Sequence, residues 1–384
     1  MAVSSRFSRL NSYLQQDPGN AGLLQDAFAA ACAESLWDQA QALLQQAQAL
    51  GHAPRQWALH RAHLAMARQR WPEALAQLGE LQRDPQLDDP ARLVLATDVA
   101  QIHLRQGRVA EGFAALEAMV NALPPGASLD AIVEETWLRL LHRAGRLDAA
   151  LEWGQSREQA GKLSPTGAGV LSLVALDAAQ FGHCRRWADQ ALAAQPAQME
   201  AGLARASLAL AGSDPAEALQ RCERLAAGRE NDGRVLSTLG AARLLNQDLP
   251  GARSAYEQAG RLMPEHIGTW HGLAWTTLLQ GDLALAEATF RHALSLDRNF
   301  ADSHGGLGVV LAAAGRRAEA SEAIRRALGL DPRSVAGHYA QLLLDDPEVD
   351  RTRLLALARR LFGSQATPGG ESIVALLARR AGGP

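Results

Sequence analysis

Lysine is all but missing from this sequence: Lys162 is the single one in 384 residues, so positive charge is carried by arginine. Basic and acidic residues nearly balance, leaving a formal net charge of −3 and a pI near 6.4. No global field therefore draws the chain to nucleic acid or to anionic lipid. Cysteine is scarce too. Cys32, Cys184 and Cys222 are odd in number and far apart, with neither the pairing of a disulfide framework nor the spacing of a metal site. Aromatic residues make up only 5%, and runs of Val, Ile and Thr with period-two alternation, the mark of strands, are missing. No stretch reaches the roughly 18 uncharged apolar residues of a membrane span. Met1 to Gln16 lacks the basic start and apolar run of a signal peptide. These absences lead to the expectation of a soluble, cytoplasmic protein.

What is present is helix-forming. Hydrophobic residues reach 47%, much of it Ala and Leu, which with Gln, Glu and Arg lose little rotamer freedom in a helix. The expected class is all-α. A repeat organises it: residues 233–266, 267–300 and 301–334 are three abutting segments of 34 residues. Leu239, Leu273 and Leu307 share the seventh position, and small Gly240, Ala274 and Gly308 the eighth. Gly281 and Gly315 mark a turn near the fifteenth. Ala252, Ala286 and Ala320 hold the twentieth, Tyr256, Phe290 and Ile324 the twenty-fourth, and Ala259, Ala293 and Ala327 the twenty-seventh. Pro264 and Pro332 stand near the end. Small residues let two antiparallel helices approach, larger ones fill their seam, and Gly and Pro stop each helix. One hairpin cannot bury its apolar side alone, so copies must stack.

This pattern resembles the tetratricopeptide repeat, of the kind found in bacterial multi-repeat proteins, and Trp270 matches the family's aromatic at position four. The resemblance implies a right-handed α-solenoid of about nine to ten stacked hairpins with capping helices. Its expected layout is a capping helix over 1–20 and a solenoid over 21–368. Units begin near 21, 55, 93, 131, 165, 199, 233, 267 and 301, with a degenerate one at 335. A C-terminal capping helix and tail follow over 369–384. Pro124-Pro125-Gly126 is a hinge candidate.

In the family the first helices line a concave face. The resemblance places Leu203, Leu244, His271, Trp275, Leu279, Val309, Tyr339 and Leu343 there, a surface suited to the apolar helical face of another protein or peptide segment. Trp275 and His271 stand out because the seam does not demand bulk at those positions. The alternatives are that these leucines are core, that the C-terminal helix folds onto the groove, or that the groove makes a homodimer. The Lys and Asn clamp with which some family members grip a chaperone tail is missing: position five reads Gln25, Leu59, Thr97, Glu135, Gly169, Leu203, Ser237, His271 and Gly305.

No phosphate loop, nucleophile elbow or paired-cysteine zinc motif occurs, and Gly305-Gly306 with Gly308 lies inside a helix, away from the strand-to-helix turn of a dinucleotide site. His60 and His63 lie one turn apart without an evident carboxylate. His304 and His338 share one position of adjacent units with His271 nearby, and seam histidines outweigh a metal site in both cases. The reading is a non-catalytic scaffold, adaptor or chaperone that takes no cofactor and no metal and binds neither nucleic acid nor membrane. The alternative is a recognition or regulatory subunit of an enzyme complex, such as a glycosyltransferase or a secretion machine.

Overall fold

The computed structural model describes residues 5–52, 54–124, 127–212, 214–227, 232–346, 348, 351–362 and 374–375, without the side chains of 54–56 and 351. Among them are 21 α-helices and no strand. The C-terminal capping helix expected over 369–384 lies outside the described residues apart from 374–375, which are helical. The chain divides into two compact units, Met1–Ser164 and Pro165–Pro384.

The first unit opens with a lone helix, α1 (Arg6–Gln16), which buries Phe7 and Leu14 in one cluster with Leu24 and Phe28. Four hairpins follow: α2 (Ala21–Ala33) with α3 (Trp37–Ala49), α4 (Pro54–Ala67) with α5 (Trp71–Gln82), α6 (Asp89–Arg105) with α7 (Val109–Asn121), and α8 (Ala131–Arg143) with α9 (Leu147–Gln159). The second unit has six: α10 (Pro165–Asp177) with α11 (Phe181–Ala194), α12 (Met199–Ala211) with α13 (Pro215–Ala226), and α14 (Gly233–Leu245) with α15 (Leu249–Leu262). Then come α16 (Ile267–Leu279) with α17 (Leu283–Leu296), α18 (Ala301–Ala313) with α19 (Arg317–Leu330), and α20 (Val335–Asp345) with α21 (Arg351–Phe362).

Eight of the ten hairpins turn the same way, and the turn residues of the other two lie outside the described residues. The fifteenth residue of the repeat has a positive φ whether or not it is glycine: Gly107, Gly145, Gly281 and Gly315, but also Ser35, Gln69, Ala179 and Gln247. The backbone demand is set by the turn, in which the amide after this residue bonds back across the helix end, as from Asp248 to the Arg243 carbonyl and Asp282 to the Thr277 carbonyl. Where the turn ends on aspartate the second helix starts on a side-chain cap, Asp248 on Gly251 and Asp282 on Leu285. Between helices the small positions are sealed: Ala252, Ala286, Ala320, Ala259, Ala293 and Ala327 have no exposed surface, and Tyr256, Phe290 and Ile324 fill the seam above them. Each unit is thus a stack of hairpins, an all-α solenoid architecture.

Candidate functional site

The first helices of the second unit form a face on which polar and apolar side chains alternate. Adjacent first helices are joined by rungs from position five to position three of the next repeat. Thr269 donates to the Ser237 hydroxyl at 3.1 Å, and His271 Nε2 lies 2.6 Å from the Ser303 hydroxyl. The third such rung is closed by glycine. A Cβ on Gly305 would stand 2.6 Å from the Gly337 amide nitrogen, so α18 and α20 pack backbone to backbone, and they do so far more intimately than α16 and α18.

That uneven spacing decides which side chains reach the surface. Trp275, Tyr339 and Leu343 are half-buried and rest on one hydrophobic cluster, built on Phe290, Val309, Val310 and Leu311. Trp275 stands edge-on to Phe290, with ring centroids 5.6 Å apart at 85°. His271 stands on the same ring at 5.6 Å and 80°. Leu279, at the end of α16, is 61% exposed. Leu244 is half-buried on α14 and outside this cluster. Leu203 and Val309 are only 4% and 2% exposed, so any part they have in a groove is as its floor. The periodicity does not anticipate Phe300. It is 38% exposed and lies edge-on to His271 at 5.2 Å. Its signal is an aromatic at the position where Asp232, His266 and Ser334 cap the next helix, and Phe300 makes no side-chain cap.

Burial lowers the pKa of His271 from its ordinary value, with the charge of Asp302 pulling the other way. His266 is lowered too, first by burial and then by Arg234. The folded rings refuse a proton that the unfolded chain accepts, so the unfolded state binds more protons once the pH drops below about 6.5. Stability of the second unit is expected to fall from that point and to level off once the folded rings protonate as well. Urea midpoints from pH 7.5 to 5 report this, and His271→Gln should flatten the slope. An unchanged slope in that variant would place the pH dependence elsewhere.

The remaining reactive groups are placed for packing. Burial pushes the thiol of Cys184 up to about 11 and that of Cys222 to about 12, far from a thiolate at neutral pH. Ser303 is fully buried, so the Ser303–His271 pair presents no nucleophile to a substrate. His304 and His338 do not meet. Each donates from Nε2 to the carbonyl six residues back, Arg298 at 2.8 Å and Pro332 at 2.9 Å, as the Trp270 indole does to Pro264 at 2.7 Å. In the first unit, His63 does have a carboxylate, Asp98, 2.8 Å away, which the sequence did not reveal, while His60 packs edge-on against Phe28. Among the described residues no three His, Cys, Asp or Glu side chains are disposed to hold a metal ion, and no helix is long and apolar enough to cross a membrane.

A model of the tetratricopeptide repeat matches residues 267–300 and 301–334. No curated protein matches the chain. Among solved structures it is similar to TTC0263 of Thermus thermophilus, with 20% identity over 47% of this chain and 100% of that one at a TM-score of 0.41. It is also similar to YrrB, described as a protein with an unusual peptide-binding site, with 17% identity over 49% and 97% at a TM-score of 0.38. MamA aligns with 17% identity over 44% and 92% at a TM-score of 0.37. The matched pair, α16–α17 and α18–α19, is built on the same left-handed turn and the same sealed alanines as the hairpin before it, and the chain contains tetratricopeptide repeats over residues 267–334.

Proposed function

We propose that this protein is a non-catalytic, cytoplasmic scaffold or chaperone that holds the apolar face of a partner polypeptide against the first helices of its second unit. The observation that carries this reading is the apolar row itself. Trp275, Tyr339 and Leu343 stay half-exposed on a shared core cluster with Leu279 beside them, and half-exposed aromatics seated on a rigid base are the usual anchors of an interface. Trp275 adds an indole N–H with no partner among the described residues, free to donate to a carbonyl of the bound segment. Leu244 and His271 extend the row, with Leu203 and Val309 beneath.

Replacing Trp275 with alanine should weaken partner capture about tenfold or more, the loss typical of an interface anchor, while melting of the chain shifts little. The partner is identified by mass spectrometry of what co-elutes with the native chain, then titrated against both forms. Recovery of an enzyme would make the chain the recognition subunit of a complex, and recovery of only a second copy would make the groove a dimer interface. If Trp275→Ala instead unfolds α16–α21 and leaves binding per folded molecule intact, Trp275 is core and the groove reading fails.

A further inference from the structure

On the other side of the same repeats lies a cleft that the groove reading does not use. It opens between α17, α18 and α19, with a volume of about 410 Å³, within the roughly 300–1,000 Å³ of small-ligand pockets. Leu294, Leu307, Leu311 and Ala323 form its apolar lining, and His304 reaches into it. His304 is only 7% exposed. Its Nε2 donates to the Arg298 carbonyl at 2.8 Å, and since a carbonyl only accepts, the proton sits on Nε2 and Nδ1 keeps its lone pair. That lone pair has no hydrogen-bond partner among the described residues, and Nδ1 is not among the polar atoms sealed from solvent.

The neighbouring repeats show what this position takes. Positions four and twenty-six of a hairpin face each other. In the repeat before, they are Trp270 and His292, edge-on at 4.5 Å. In the repeat after, His338 Nδ1 accepts from the Arg360 guanidinium at 3.1 Å, so its two ring nitrogens are both used. The residue equivalent to Arg360 is Arg326, and it is diverted: its Nε donates to Glu322 at 2.7 Å. The place that a planar group fills on both sides, an imidazole ring before and a donating guanidinium after, is therefore left open at His304. The rim is electrically balanced, because Arg326 is paired with Glu322 and Arg291 with Glu287 at 2.8 Å. A net-charged ligand gains nothing there.

We propose that the cleft at His304 is a binding site for a neutral aromatic group carrying one N–H or O–H donor, an indole or a phenol, whose ring lies on the leucines and whose donor bonds His304 Nδ1. The test titrates the full chain with indole and with 1-methylindole, following the His304 ring resonances by NMR. Indole should shift them, and 1-methylindole, close in shape but without the donor, should bind about three- to tenfold more weakly, the worth of one net hydrogen bond. Ala323→Leu, which fills the cleft and leaves the Arg298 bond alone, should abolish both. N-acetyltryptophanamide distinguishes the sources: binding like indole assigns a partner's side chain, and failure where indole succeeds assigns a free small aromatic. Equal affinity for indole and 1-methylindole overturns the proposal without any variant. So do silent His304 resonances, or loss of indole binding in Trp275→Ala, which would put the ligand in the groove.

Discussion

Arg157→Ala is expected to cost the first unit about 3–5 kcal/mol, the loss seen when one partner of a buried ion pair is removed. Arg157 and Glu134 lie on paired helices α9 and α8, and Glu134 is only 1% exposed. Arg157 Nε donates to Glu134 Oε1 at 3.1 Å, while its two terminal nitrogens donate to the carbonyls of Ala127 and Lys162 at 2.5 and 3.2 Å. The other oxygen of Glu134 accepts from the Ser164 amide at 2.8 Å, and the guanidinium stacks over Trp153. One charge pair thus satisfies the loop that enters α8 and the loop that leaves α9. Alanine at 157 strands a buried carboxylate and two loop carbonyls at once. Hydrogen exchange of the α8 and α9 amides reads the local opening free energy directly. Replacing both partners by methionine should recover part of the loss, because no lone charge remains. A cost below about 1 kcal/mol for Arg157→Ala would mean that water replaces the guanidinium freely and that the pair holds little together.

Glu134 illustrates how far the sequence could be read. The repeat length, the hairpin, the sealed alanines and the turn were all legible, because each repeats with the period and the period is a property of letters. The turn shows why: Gly281 and Gly315 announce it, and Gln247 takes the same left-handed backbone at φ 63 without announcing anything. Departures from the average repeat were not legible. Leu203 and Val309 occupy family groove positions, as His271 and Trp275 do, yet they are buried because their neighbours come closer. α18 meets α20 at Gly305 and Gly337, and Gly169 of α10 lies under Gln198 at the start of α12. Periodicity gives the position of a side chain on its helix, not the distance to the next helix. The histidines fail for a related reason. His304 and His338 were correctly aligned with each other, but the bond that fixes each ring runs to a loop carbonyl six residues back, which no pattern of side chains contains.

Gly306→Ala is expected to destabilise the second unit by about 1–3 kcal/mol, the usual cost of overpacking a filled core. On local grounds the sign should be the opposite, since Gly306 lies inside α18 and alanine there favours the helix by about 1 kcal/mol. The packing decides against propensity. A Cβ on Gly306 would stand 2.3 Å from Phe290 Cε1 and Cζ, a distance no pair of carbons tolerates. Phe290 is fully buried, and His271 and Trp275 both stand edge-on to its ring, so it cannot yield without tilting the two side chains that rest on it. The substitution should therefore lower the urea midpoint and alter the Trp275 emission, identified by difference from Trp275→Phe. Pairing it with Phe290→Leu, which frees the space the new methyl needs, should make the two changes less than additive, as coupled neighbours are. A Gly306→Ala chain as stable as the native one would show that α18 can shift away from α17 at no cost. The base under the proposed groove would then be soft rather than fixed, and Trp275 could not owe its pose to it.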